Sequence, residues 1–506
     1  MGLKVKNNIF SIDTAWHILC TIVTTFFVAM GCVFCDINRF INGIILVSIA
    51  IVVYFCIVFF VAKKNWLDIR AVFHAVWVFT VGLASLRLTN YQEKWQTKTW
   101  ICFAIAYFVF QIGAHLGITF GDSLFKRVVS FGNKLKIGKL RFEIKENRYF
   151  GICIITTLIG LVCFLIGVGI RGYIPCFSDD PEAYLTFYTK FHIFSVAATG
   201  VSSLCYYCIA TQKISIFKKI ALVLCIFYST FLFPTFVVSR GTFIASALAL
   251  TVTVFYIHKK KFLVLCLCLF LIVGTYFGVS ILRNYTDAQL EYFFEPSEIH
   301  INIDKDETSS DDDSDDDSDD DDGKSPSDDE VDDDTPSDVS FTLPPKLSFV
   351  YSYLTVSHDN FNEAVQNSKE YTYGLHQIAP FNSVLRSGWI ENQISDSEYF
   401  LVRPHLNTIN LIGYFYYDFH IFGIVLFMLL WSFVFGLLQK FAEQSQKPFF
   451  LLALGNAMVP VALCFFAAWL SVFSQWLLWG VVLIFALAAS VNVKFNKKES
   501  EKNAEG

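Results

Sequence analysis

The chain predicts an all-α, polytopic membrane bundle of about 12 transmembrane helices with one large extracytoplasmic loop, on its composition, its apolar runs and the placement of its basic residues. Hydrophobic residues make up 54% of the 506 and charged residues only 17%, with a positive mean hydropathy of 0.50, too little polar surface for a water-soluble protein of this length. Twelve stretches are long and apolar enough to cross a bilayer, for which ~20 residues suffice. They run approximately over 16–35, 41–62, 71–86, 99–120, 149–170, 192–211, 219–238, 241–257, 262–282, 415–438, 448–468 and 471–490. A spanning segment must satisfy its own backbone hydrogen bonds, and long uninterrupted runs suit helices rather than the ten-residue alternation of a barrel.

The basic residues orient the bundle. With a cytoplasmic N-terminus, every second connection and both tails are cytoplasmic and carry 25 of the 39 Lys and Arg, among them Lys63, Lys64, Lys126, Arg127 and the run Lys259 to Lys261. The opposite face carries the other 14, of which 7 lie in one long loop where charge does not set topology. Both termini are therefore expected in the cytoplasm. The first span is too long for a signal-peptide core and has no small-residue cleavage site, so it is expected to be retained as an anchor. Eight Lys and Arg over 126–148 suit anionic lipid headgroups and need no nucleic-acid partner.

Nearly all of the 14 cysteines lie inside spans, including Cys20, Cys56, Cys153, Cys205 and Cys268, and read as small apolar packing residues. Cys32 and Cys35 have metal-ligand spacing but no second pair beside them, so no metal and no cofactor are expected. His17, His74 and His115, at or within apolar runs, read as packed or interfacial side chains.

Three parts follow: a membrane bundle of nine spans over 1–282, an extracytoplasmic loop over 283–407, and three further spans with a cytoplasmic tail over 408–506. The loop holds an acidic run from Asp304 to Asp338 in which 20 residues are Asp or Glu and two, Lys305 and Lys324, are basic. Without it the remainder has 37 positive and 25 negative residues, so the chain's net charge of −6 describes the insert and not the bundle. Such a block repels itself and buries nothing, which predicts disorder. Around Gly323 it falls short of a calcium loop, with Ser318 at the first position and Asp329 at the last.

Beyond Phe341 the loop becomes aromatic and polar, and function is expected there. Asp418 stands at the mouth of a span, where an ionisable residue commonly faces a cavity or an ion path. Outward-facing arginines are expected at Arg171, Arg240, Arg283, Arg386 and Arg403, and guanidinium suits bidentate contact with phosphate. Arg240 lies in a very tight turn, Ser239-Arg240-Gly241, that opens a helix, and a helix N-terminus favours anions. Snorkelling to lipid headgroups is the alternative for each of these arginines.

The turn at Arg240, the Gly172-Tyr-Ile-Pro175 element, the text YSYLTVSHDNFN from Tyr351, YTYG from Tyr371 and HLNTINLIGYFYYDFHIFG from His405 together resemble the Wzy-type oligosaccharide repeat-unit polymerases. That family carries an N-x-x-T pattern, then aromatic text and D-F-x-x-x-G; here Asn407, Thr408 or Asn410, Asp418, Phe419 and Gly423 correspond, with Asn407 adjacent to Thr408 and His420 following the D-F pair. The resemblance implies a metal-independent, GT-C-like glycosyltransferase of the bacterial cytoplasmic membrane. It would join undecaprenyl-pyrophosphate-linked oligosaccharides on the outer face and work beside a chain-length regulator. It also implies arginines on the leaving pyrophosphate, in the order Arg240, Arg171, Arg386, Arg403, and a base for the acceptor hydroxyl among His358, Asp359, His405 and Asp418. Tyr351, Tyr353, Tyr371, Tyr373 and Trp389 are candidates to stack on sugars. An O-antigen ligase would differ only in acceptor. A transporter or flippase would need an ionisable residue at mid-membrane and broken or repeated helices.

Overall fold

The computed structural model describes residues 12–134, 140–141, 146–178, 183–187, 189–258, 262, 265–266, 298–301, 339–342, 344–382, 388–390, 400–403, 406–445, 447–473, 475–480, 484 and 492–493. Apolar helices dominate them, as the run lengths require. The chain forms α1 (Ile12–Ile37), α2 (Arg39–Cys56, continued by a π turn Ile57–Val61), α3 (Ile69–Ser85), α4 (Thr97–Lys134), α5 (Glu146–Arg171), the short α6 (Ala183–Thr186), α7 (His192–Thr199) and α8 (Val201–Thr211). There follow α9 (Ile216–Phe227), α10 (Phe233–Phe236), α11 (Arg240–Ile257), α12 (Pro345–Asn367), α13 (Leu375–Ile378), α14 (Gly413–Ser445) and α15 (Pro448–Ala462). Among the described residues 8 continuous helical segments are long and apolar enough to cross a membrane, and α3 and α15 are shorter apolar helices. These account for ten of the expected spans; 262–282 and 471–490 fall largely outside the described residues.

Lipid is as apolar as leucine, so helices in a bilayer are held by close packing and by polar contacts. Both appear here. Gly113, Gly117 and Gly121 put the bare backbone of α4 against α14, where a Cβ built on Gly117 would stand 2.2 Å from the carbonyl oxygen of Phe433. At one end of the same helices lies a polar clamp. Asp68 caps α3 by accepting from the Arg70 backbone N–H at 2.9 Å, and its carboxylate takes Arg70 Nε at 2.9 Å, Arg70 Nη2 at 2.8 Å and Gln439 Nε2 at 3.0 Å. Arg70 Nη1 reaches His115 at 3.1 Å, the His17 ring stacks on His115 at 4.6 Å, and Gln111 bonds His17. The third intramembrane histidine, His74, bonds Tyr107 at 2.9 Å.

The acidic insert lies outside the described residues, but its flanks do not. Strands Glu298–Ile301 and Val339–Thr342 pair antiparallel, with Glu298 opposite Thr342 and Ile301 opposite Val339. The chain therefore leaves and returns at one point before entering α12.

Candidate functional site

The centre of the site is α12, which the sequence reading treats as outward-loop text and which the structure shows as a 23-residue helix packed against α3, α4 and α14. Pro345 starts it at a position where the missing N–H costs nothing. Successive helical residues point about 100° apart, so the four residues Ser357 to Asn360 face four directions, and each bonds a different neighbour. Ser357 donates to the Phe465 carbonyl. His358 pairs Nε2 with Thr80 Oγ1 at 3.0 Å and Nδ1 with Asn410 at 3.1 Å. Asp359 accepts from Gln92 Nε2 at 2.9 Å and Trp95 Nε1 at 2.8 Å. Asn360 donates to the Thr408 carbonyl at 2.7 Å and accepts from the Val402 N–H at 2.9 Å.

His358 and Asp359, expected in loop text, thus lie on a helix. Both are buried, at 0% and 2% exposure, and burial moves them apart: it pushes the Asp359 carboxyl from 3.8 up to about 7 and the His358 imidazole from 6.5 down to about 3. Each favours its neutral form. With both ring nitrogens of His358 and both oxygens of Asp359 engaged, this geometry locks α12 in place.

Asp418 is in a different arrangement. Its Oδ1 accepts from Thr372 Oγ1 at 2.6 Å, from the His376 N–H at 3.2 Å and from His376 Nδ1 at 3.2 Å; Oδ2 accepts from Gln377 Nε2 at 2.9 Å. The His376 ring is further fixed by stacking on Tyr414 at 4.8 Å. The sequence reading missed His376, although it stands two residues beyond the YTYG text already singled out. Backbone strain surrounds this pair. Tyr373 and His420 have φ of 51° and 50°, and Phe419 and His420 interrupt α14 with non-helical angles. Non-glycine residues in such conformations cost about 1–3 kcal/mol each and cluster at functional sites.

Arg240 is the first residue of α11, capped by Ser239, whose Oγ accepts from the Thr242 N–H at 3.3 Å. Its guanidinium is buried over Phe349 at 5.0 Å and Tyr353 at 4.8 Å, two rings of α12. The turn's strain falls on Val238, with φ 50°, and not on Gly241. Gly241 is required by proximity instead, since a Cβ there would meet the Trp469 ring at 2.9 Å. Trp469 opens the 3-10 turn Trp469–Ser471, which also contacts α13, the helix bearing His376. This short turn therefore borders both the start of α11 and α13.

The remaining predicted residues divide. Arg171 ends α5 and is exposed, while Arg403 is half-buried in the strip whose Val402 bonds Asn360. His405, Arg386 and Arg283 lie outside the described residues. Of the aromatics, Tyr351 is buried, donating to Gln92 Oε1 at 2.8 Å, and Tyr353 packs on Arg240, whereas Tyr371, Tyr373 and Trp389 are exposed.

Beside the hub is an apolar cavity of about 410 Å³ lined by α2 and α3 and bordered by Leu354 and Phe465. Thr80, the partner of His358, forms part of its wall.

Comparison with protein-family models, curated proteins and solved structures finds no match to this chain. The class that the fold defines is a multi-pass α-helical membrane protein.

Proposed function

We propose that the protein is a polysaccharide polymerase, a GT-C-like glycosyltransferase of twelve spans in the bacterial cytoplasmic membrane with both termini inside. It joins undecaprenyl-pyrophosphate-linked oligosaccharide repeat units on the outer face. The observation that carries this reading is that a buried arginine at a helix N-terminus and a carboxylate–histidine pair both lie on elements bordering the turn Trp469–Ser471. A helix N-terminus favours an anion and a guanidinium suits bidentate contact with phosphate, so the start of α11 with Arg240 suits a pyrophosphate. The apolar cavity beside Thr80 is a dry surface of the kind that a polyprenyl tail needs.

In the reaction the acceptor hydroxyl oxygen attacks the anomeric carbon of the growing chain, and the bond from that carbon to the lipid pyrophosphate breaks. The hydroxyl proton passes to Nε2 of His376, with Asp418 holding Nδ1 and supporting the imidazolium, as in other carboxylate-oriented histidine bases. Arg240, with Arg171, Arg386 and Arg403 as further candidates, meets the charge gathering on the leaving pyrophosphate. His358 and Asp359 position α12, and exposed Tyr371 and Tyr373 offer faces to sugar rings. A chain-length regulator is the partner to look for.

Gel analysis of lipid-linked and surface glycan from the host, with and without the gene, tests the function. A single repeat unit replacing a ladder on gene loss is the expected result. A full ladder retained on the lipid carrier would instead mean a ligase, and glycan trapped inside the cell a flippase.

A further inference from the structure

Thr372 is tied down at every polar atom it has. Its N–H donates to the Tyr417 carbonyl at 3.0 Å, and its carbonyl accepts from the Leu375 N–H at 3.0 Å, which closes a turn over residues 372–375. The two central residues, Tyr373 and Gly374, have φ of 51° and 86°, the signs that a type I′ turn requires. A tyrosine in the first of these positions carries strain that glycine avoids. The Tyr373 N–H donates to the Asp418 carbonyl at 3.2 Å, so the strained turn is stapled to α14 by two adjacent backbone bonds.

The staple places a hydroxyl between two chemical groups. Thr372 stands just before α13, four residues from His376, and faces the point where α14 is interrupted beyond Asp418. Its Oγ1 lies 2.6 Å from Asp418 Oδ1 and 2.8 Å from His376 Nδ1, while Nδ1 and Oδ1 are themselves 3.2 Å apart. Four donors converge on the Asp418 carboxylate, from Thr372, Gln377 and twice from His376, which suits its ionised form, an acceptor only. A hydroxyl has one hydrogen. Thr372 gives it to Asp418, so its oxygen accepts from His376, and Nδ1 carries a proton shared between the two oxygens with the shorter arm to threonine.

We propose that Thr372 is the positioning residue of the Asp418–His376 pair: its hydroxyl bridges the two side chains, keeps the proton on Nδ1 and fixes the plane of the imidazole. When Nε2 takes the acceptor proton in the reaction proposed above, the imidazolium charge is met by Asp418, and Thr372 keeps its own hydrogen throughout. The inference rests on the polymerase reading only for its effect on rate.

The test is nuclear magnetic resonance of the full-length protein in lipid nanodiscs, with nitrogen-15-labelled histidine and the His376 ring signals assigned by their absence from His376→Gln. In the wild type Nδ1 should carry a proton whose resonance its two acceptors displace downfield. Thr372→Val, which keeps the branched shape and removes the hydroxyl, should move that resonance back, and Thr372→Ser should restore it. In polymerisation by the same samples, Thr372→Val should lower kcat about tenfold or more with KM little changed, and Thr372→Ser should recover most of the rate. A wild-type His376 without a proton on Nδ1 would overturn the proposal. So would a Thr372→Val protein that keeps the wild-type resonance or, where the wild type polymerises, the wild-type rate. A wild type that makes no ladder while the three spectra behave as expected would reject the polymerase reading and uphold the bridge.

Discussion

Asp359 and His358 are adjacent in sequence and opposed in their response to pH. Asp359 holds its proton more tightly in the folded protein, with a pKa of about 7, than in the unfolded chain, so its contribution to stability is complete below about pH 4 and is lost as pH rises through 7. His358, lowered to about 3, contributes fully above about pH 6.5 and loses that contribution as pH falls toward 3. Between pH 4 and 6.5 the two slopes offset each other. In Asp359→Asn the unfolding midpoint should therefore rise with pH over this window, and in His358→Gln it should fall, as read by tryptophan fluorescence of the detergent-solubilised protein. Parallel profiles for the two variants would contradict the assignment. At this scale the sequence was partly legible. Asp418 and Arg240 could be singled out because a carboxylate at a span mouth and an arginine in a three-residue turn are locally anomalous. His376 could not, because its bond to Asp418 crosses 42 positions.

Among elements, the spans were legible and the contacts between them were not. Run length alone recovers α1, α2, α4 and α5, because a bilayer demands it. The helix α12 was hidden, since its polar and aromatic residues follow from being surrounded by protein on every side rather than from facing lipid on one. The four-residue spacing of Gly113, Gly117 and Gly121 marks a helix contact, yet nothing in the sequence says that α14 is the partner. Gly117→Val should cost about 1–3 kcal/mol, because the added Cβ meets the α14 backbone and not a yielding side chain. Gly151→Val on α5, where a Cβ meets nothing within 4 Å, is the control. Equal unfolding midpoints for the two variants would show that α4 and α14 are not in this close contact.

For the molecule as a whole, the acidic insert and the bundle are separable. The strands flanking the insert pair end to end, so removing 304–338 shortens an excursion without moving α12. Loop-closure entropy makes that change worth only about 2 kcal/mol, in favour of the shortened chain. The shortened protein should support a normal glycan ladder in vivo, and loss of the ladder at normal protein level would give the insert a part in catalysis. The most direct measurement is polymerisation by purified protein in nanodiscs supplied with lipid-pyrophosphate-linked repeat units. The wild type should build a ladder, while Arg240→Ala and Asp418→Asn, folded to the same unfolding midpoint, should leave single units. A ladder from both variants, or none from the wild type on its host's own repeat unit, would contradict the account.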